Sequence, residues 1–317
     1  MPYDADPRSA PPRPLGQVNL DTLTSVGARL FGLAWGLLLY AALLIVGIRG
    51  LSMLVKAALN GLGVHFAHPD GVRPVESLIL SQLIILVAAV VATAILMRTD
   101  RARPPPMLPV SALGGARFFQ GLFWGVAGMA ALIGLIAWMG GYRITGGALS
   151  GTAFGSYAAL WVGAAAINGL AENLAILGYP LLRAAQTLGF VPAILLMSVL
   201  FAAAHVGNPG ENPIGLASVF LTAVLLAASI WRTGNLWLSV GIHAGLVLAE
   251  DFLFSVPDSG EVYTGHLVSS QFSGPAWLNG GSAGPEGSVL IFPLLVVGLA
   301  LLWFAYPKPA SPRADHV

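Results

Sequence analysis

Eight apolar runs divide this chain, at 30–48, 77–97, 118–139, 154–182, 191–206, 214–231, 236–254 and 289–306. Most reach the ~20 residues that a helix needs to cross the hydrocarbon core of a bilayer. In lipid the backbone must satisfy its own hydrogen bonds, so runs of this kind become helices and several together become a bundle. The expected fold class is therefore all-α, a polytopic membrane bundle of about eight transmembrane helices. Composition points the same way: 56% of the 317 residues are hydrophobic and only 9% are charged, against about 25% charged in soluble domains. The run at 154–182 is over-long and carries Glu172. The run at 191–206 is short, so its ends are expected below the bilayer surface. A ninth element, 52–62, is too short to span and is expected at the interface.

Four segments follow: a Pro-rich tail at 1–24, expected to be disordered and cytoplasmic, N-terminal transmembrane helices at 25–149, core helices at 150–306 and a C-terminal tail at 307–317. The tail lacks the basic patch and cleavage site of a signal peptide. Arg98, Arg101, Arg103 and Arg117 cluster around Pro104, Pro105 and Pro106, and Arg183, Arg232, Lys308 and Arg313 fall on the same side if every run crosses. Loops 207–213 and 257–287 contain no Lys or Arg. The positive-inside rule then places both termini in the cytoplasm, in a bacterial plasma membrane; Arg49, Lys56 and Arg73 run against it. A net charge of +1 carries no message about nucleic acid, and with no basic stripe a nucleic-acid partner is not expected. The absence of cysteine excludes disulfides, thiolate catalysis and Cys-ligated metals. Gly32/Gly36 and Gly121/Gly125 are small-xxx-small pairs, expected to bring helices close together.

Against this apolar background three ionisable residues stand out. An ionisable group within a span is costly unless it faces protein or water. Glu172 has no cation near it in sequence; Arg183 is about three helical turns away. It must hold a proton or meet a partner on another helix. His205 follows three alanines, and His243 sits between Gly241 and Gly245. One Glu and two His on three helices point to a shared pocket with two possible chemistries. As ligands they would leave one position of a tetrahedral zinc open for water. Without metal, Glu172 and one His would deprotonate water while the other His stabilises an oxyanion. The spacing is not that of H-E-x-x-H.

These residues resemble the CAAX-prenyl endoprotease and bacteriocin-processing family of intramembrane proteases, known as CPBP or Abi. Its motifs are E-E-x-x-x-R, F-x-x-x-H and H-x-x-x-N or H-x-x-x-D. Here the second is intact from Phe201 to His205. The first keeps Glu172 and the third keeps His243. The flanks His205-Val206-Gly207-Asn208-Pro209, Arg232-Thr233-Gly234-Asn235-Leu236 and Gly274-Pro275-Ala276-Trp277-Leu278 also resemble bacterial members. The resemblance covers roughly 150–306 and marks that segment as a CPBP/Abi-like catalytic core. It implies an eight-helix bundle around a water-accessible cavity, hydrolysing a peptide bond in a membrane-embedded or lipidated substrate. Glu172 and His205 would activate water and His243 would hold the oxyanion; zinc is the one cofactor the set would take.

Three positions depart from the motifs: Asn173 replaces the second Glu, Leu177 the Arg and Val247 the Asn. The first two read as a matched loss that leaves no buried unpaired charge. Val247 removes a donor, a loss that typically costs about 100- to 1000-fold in rate. On an ideal helix Glu250 lies within about 20° of His243, so it is a candidate to compensate as proton donor, His orienter or ligand. Two other readings remain open at the level of sequence. One is a catalytically degenerate relative acting as a membrane binding or scaffold protein; the other is a proton-coupled transporter, which would also use intramembrane Glu and His.

Overall fold

The computed structural model describes residues 20–64, 72–99 and 112–306. Most of the Pro-rich tail, the breaker at 104–106 and the tail at 307–317 lie outside the described residues. Helices occupy all eight expected runs. In chain order they are α1 (Leu20–Gly61), α2 (Val75–Thr99), α3 (Ala112–Trp138), α4 (Gly151–Leu177), α5 (Tyr179–Leu188), α6 (Phe190–His205), α7 (Pro213–Thr233), α8 (Trp237–Val247), the short α9 (Ala276–Asn279) and α10 (Ile291–Ala305). Among the described residues six helical stretches are long and apolar enough to cross a membrane, and α6 and α10 are shorter apolar helices. The fold is an all-α membrane bundle. Large apolar side chains such as Phe31, Val46, Phe119 and Phe304 are exposed on its outside, where lipid replaces water.

Two expectations at the N-terminus are corrected. The element at 52–62 is not a separate interfacial helix, because α1 runs unbroken for 42 residues. No Gly–Pro breaker interrupts it, and helix propagation costs little once nucleated. The same helix begins at Leu20, so the tail expected at 1–24 ends earlier.

The over-long run at 154–182 divides at Gly178 into α4 and α5. A side chain at Gly178 would collide with the Leu174 carbonyl. The 16 residues of α6 extend about 24 Å, short of a full crossing as expected.

The glycine pairs behave differently from one another. Gly121 and Gly125 of α3 meet Gly241 and Gly245 of α8 backbone to backbone. A methyl at Gly125 would land on the Ile242 carbonyl, and one at Gly241 on the Phe118 carbonyl. Gly169 of α4 closes on the other side of α8, where a Cβ would lie 2.7 Å from the Val240 oxygen. Gly32 and Gly36 make no such approach; they face the Arg183 and Tyr179 side chains at 3.9 and 4.0 Å.

One end of the bundle carries a folded cap. Strand β1 (Tyr142–Gly147) pairs antiparallel with β2 (Val268–Phe272). The Trp161 indole donates to the Gly265 carbonyl at 3.0 Å, and Arg73 exchanges backbone bonds with Val262 and Thr264. Arg98, Arg117 and Arg232 belong to the opposite end, as the alternation of spans requires.

Candidate active site

A cavity of about 510 Å³ opens between the helices, and Glu172, His205 and His243 all line it. Each is placed by its own helix. Gly241 and Gly245 turn toward α3, and His243 lies about 200° round from either, so its ring is sent to the opposite side. There its Nδ1 donates to Asn173 Oδ1 at 3.0 Å, and Asn173 Nδ2 donates to Ser239 Oγ at 3.0 Å. Asn173 is fully buried. The amide thus orients His243 where the motif has a carboxylate, and it does so without charge. Leu177, at the motif's Arg position, is fully buried in the main apolar core. The two departures match one another.

His205 ends α6. Its Nδ1 donates to the Phe201 carbonyl at 2.8 Å, one turn back, and its ring stacks on that of Phe201 at 5.2 Å. The Phe201 ring also meets the His243 ring, 5.9 Å away. The F-x-x-x-H spacing therefore locks both imidazoles through one aromatic ring. With Nδ1 engaged, each His has Nε2 left for chemistry.

Glu172 finds partners on two helices. Its Oε1 accepts from Gln82 Nε2 of α2 at 2.9 Å and from Asn168 Nδ2, one turn earlier, at 3.4 Å. Its Oε2 lies 3.7 Å from His243 Nε2. Amide dipoles take the place of the missing cation, and the carboxylate is left with one oxygen directed at the imidazole. Gln82 is 6% exposed. It is a residue the sequence reading missed, visible only as one amide within the apolar run 77–97. Val247 also lines the cavity and is buried against Ala165 and Ala244. It supplies no donor, so the amides near Glu172 are those of Gln82 and Asn168.

Glu250 does not follow His243 at α-helical pitch. The chain passes from α to π pitch over Leu248–Phe254, where each residue turns through a smaller angle than in an α-helix. Glu250 is 3% exposed and still lines the cavity, but its charged neighbours are Asp251, Asp258 and Glu286. Asp258 and Glu286 come from the cap and were not singled out from the sequence. Burial, and then the nearby Glu172 carboxylate, push the Asp258 acid up to about 6, with His205 opposing. Burial and Asp258 push Glu286 up to about 8. Asp258 thus lies within electrostatic reach of both Glu172 and His205.

Among the described residues no three His, Asp or Glu side chains are arranged to hold a metal ion.

The chain matches no curated protein and no solved structure. One family model does match, over residues 154–249, a span that contains Glu172, His205 and His243. Its family is described as type II CAAX prenyl endopeptidase Rce1-like, in agreement with the resemblance of the three motifs, and the chain is similar to that family over those residues.

Proposed function

We propose that the protein is an intramembrane endopeptidase in which Glu172 and His205 activate water against a peptide bond of a membrane-associated or lipidated substrate. The observation that supports this is the convergence of Glu172, His205 and His243 on one cavity, with Nε2 of each imidazole outside the internal hydrogen bonds. Water enters between Glu172 Oε2 and His205 Nε2 and gives up a proton to this pair as its oxygen bonds the scissile carbonyl carbon. The carbonyl oxygen becomes an oxyanion. His243, with Nδ1 held by Asn173, donates to it from Nε2 when the ring carries its second proton. The C–N bond then breaks, and the proton taken from water passes to the leaving amine.

The apolar reach of the cavity suits the substrate class. Met129 and Leu132 of α3, Leu225 of α7 and Leu295 and Leu302 of α10 line it, a surface for a lipid chain or an apolar helix segment. Cleavage of farnesylated and unmodified transmembrane peptides in proteoliposomes is the direct test. Wild type cleaves one of them, and Glu172→Gln and His205→Ala abolish cleavage while circular dichroism and thermal unfolding stay near wild type. Equal cleavage by both variants overturns the mechanism.

A second reading has one observation in its favour: Val247 stands where an oxyanion donor is expected. In that reading the bundle binds a membrane peptide and does not cut it. Tight peptide binding with no cleavage, indifferent to Glu172→Gln, would establish it.

A further inference from the structure

The cavity has an acidic end that the hydrolytic mechanism does not use. Glu250, Asp258, Glu261 and Glu286 line it, and the basic lining residue, Arg73, is engaged by Glu261 at 2.8 Å. Glu250, with 3% of its surface exposed, has Oε1 buried without a hydrogen-bond partner, and Glu286 Oε1 is also buried without one. Three carboxylates therefore face one space without a counter-cation among the described residues. Burying such groups unpaired is strongly unfavourable.

The backbone holds these acids in place. Asp258 and Glu261 exchange backbone bonds of 3.0 and 2.8 Å across a two-residue turn. Its central residues Ser259 and Gly260 have φ of 47° and 80°, the pattern of a type I′ turn. Gly260 N–H donates to the Ala283 carbonyl at 3.0 Å, and a side chain at Gly260 would strike the Pro209 carbonyl. The turn is pinned between two other loops. The backbone that carries Asp258 is fixed by this arrangement.

We propose that Glu250, Asp258 and Glu286 form a subsite for a cationic side chain of the substrate, a Lys ammonium or Arg guanidinium. Because Asp258 lines the same cavity as Glu172 and His205, the subsite shares the space of the proposed catalytic pair and selects substrates with a basic residue close to the bond to be cut. The carboxylates do not form a metal-ligand group, so a larger organic cation fits better than a metal ion. A guanidinium presents five donors in a plane and can serve separated acceptors at once. The inference rests on the proposed peptide-cleaving function only for the identity of the ligand; the subsite itself is tested by binding.

Binding is linked to proton loss. Asp258, held up to about 6, and Glu286, held up to about 8, must be ionised to receive a cation. The groups that face them are Glu172 and His205 from the helices, Asp251 and Glu250 from the π-helical turn, and Glu211, Glu261 and Arg73 from the loops. Affinity for a cation therefore rises with pH.

The test uses the full chain in nanodiscs and two fluorescent probes, a dodecanoyl-arginine amide and its uncharged citrulline counterpart. Wild type binds the arginine probe about tenfold tighter near pH 8, and the preference shrinks near pH 5 as the carboxyls take up protons. Asp258→Asn with Glu286→Gln removes the preference while citrulline-probe binding, which also reports a folded cavity, is retained. If wild type shows the preference but cleaves no peptide, the subsite stands and the protease reading falls. Equal binding of the two probes by wild type, or a preference that survives the double substitution, overturns the subsite.

Discussion

The Gln82 amide meets the Glu172 carboxylate across α2 and α4 at 2.9 Å. This bond ties the first half of the chain to the segment that carries the family motifs, 154–249. Its donor lies outside that segment, yet it holds the oxygen of Glu172 that does not face His243. Gln82→Leu should leave Oε1 with only the longer bond from Asn168, at 3.4 Å. A buried carboxylate that loses a donor is less well fixed, and the expected loss in kcat is about 10- to 100-fold, with KM little changed. Gln82→Asn, which keeps an amide on a shorter stem, should lose less. Steady-state kinetics of the reconstituted protein check both, and an unchanged kcat in Gln82→Leu would remove Gln82 from any positioning role.

The α3–α8 seam sets His243. A methyl at Gly125 would overlap the Ile242 carbonyl, so Gly125→Ala must part the two helices or distort α8. Overpacking of this kind typically costs 1–3 kcal/mol. Because backbone atoms are the obstacle, the upper part of that range, about 3 kcal/mol, is expected. Gly36→Ala is the control. Its nearest neighbour is the Tyr179 hydroxyl at 4.0 Å, and the substitution should be near neutral. Thermal unfolding of the two variants in the same detergent separates them.

Much of this architecture was legible in the sequence because lipid makes each span announce itself by length and apolarity. Glu172, His205 and His243 were legible for the complementary reason, as ionisable groups in places where only a partner makes them tolerable. Other features depended on geometry that residue spacing does not carry. The face of Glu250 was computed at α-helical pitch, but the chain turns π-helical at Leu248. Asp258 and Glu286 lie in a long loop in the sequence, and only the folding of that loop, with its β1–β2 pairing and Ser259–Gly260 turn, brings them to the cavity. Gln82 is a single amide in an apolar run, and only the α2–α4 contact gives it a partner.

Asn173 and Leu177 replace a Glu and an Arg together, and their burial explains why the replacements must be paired. Both are 0% exposed, so Asn173→Glu alone or Leu177→Arg alone places an uncompensated charge in the core. Each single change is expected to destabilise by about 3–5 kcal/mol. The residues are four apart on α4, the spacing at which helical side chains meet. The double variant should therefore be more stable than the sum of the singles predicts, with a coupling of about 1–3 kcal/mol. Unfolding of the four proteins in a double-mutant cycle measures it. Strict additivity would show that the two positions do not form a pair in this bundle.

Stability should fall as pH rises, because of the acids in the cap. The Asp258 carboxyl is raised from 3.8 to about 6 and the Glu286 carboxyl from 4.5 to about 8, in both cases chiefly by burial. In the unfolded chain each loses its proton near its ordinary value; in the folded protein each keeps it longer. Between those values the folded state binds more protons, so rising pH favours unfolding. The stabilisation from the two groups is complete below about pH 4, and it is lost up to about pH 6 for Asp258 and about pH 8 for Glu286. Glu286→Gln keeps the shape and never ionises. It should raise the unfolding temperature most near pH 8 and above, and make little difference near pH 4, where the wild-type carboxyl is itself mostly neutral in the folded state. Thermal unfolding across that range, in one detergent and at constant ionic strength, checks the sign. A Gln variant that is less stable than wild type at high pH would mean that the Glu286 carboxylate is matched there by a cation.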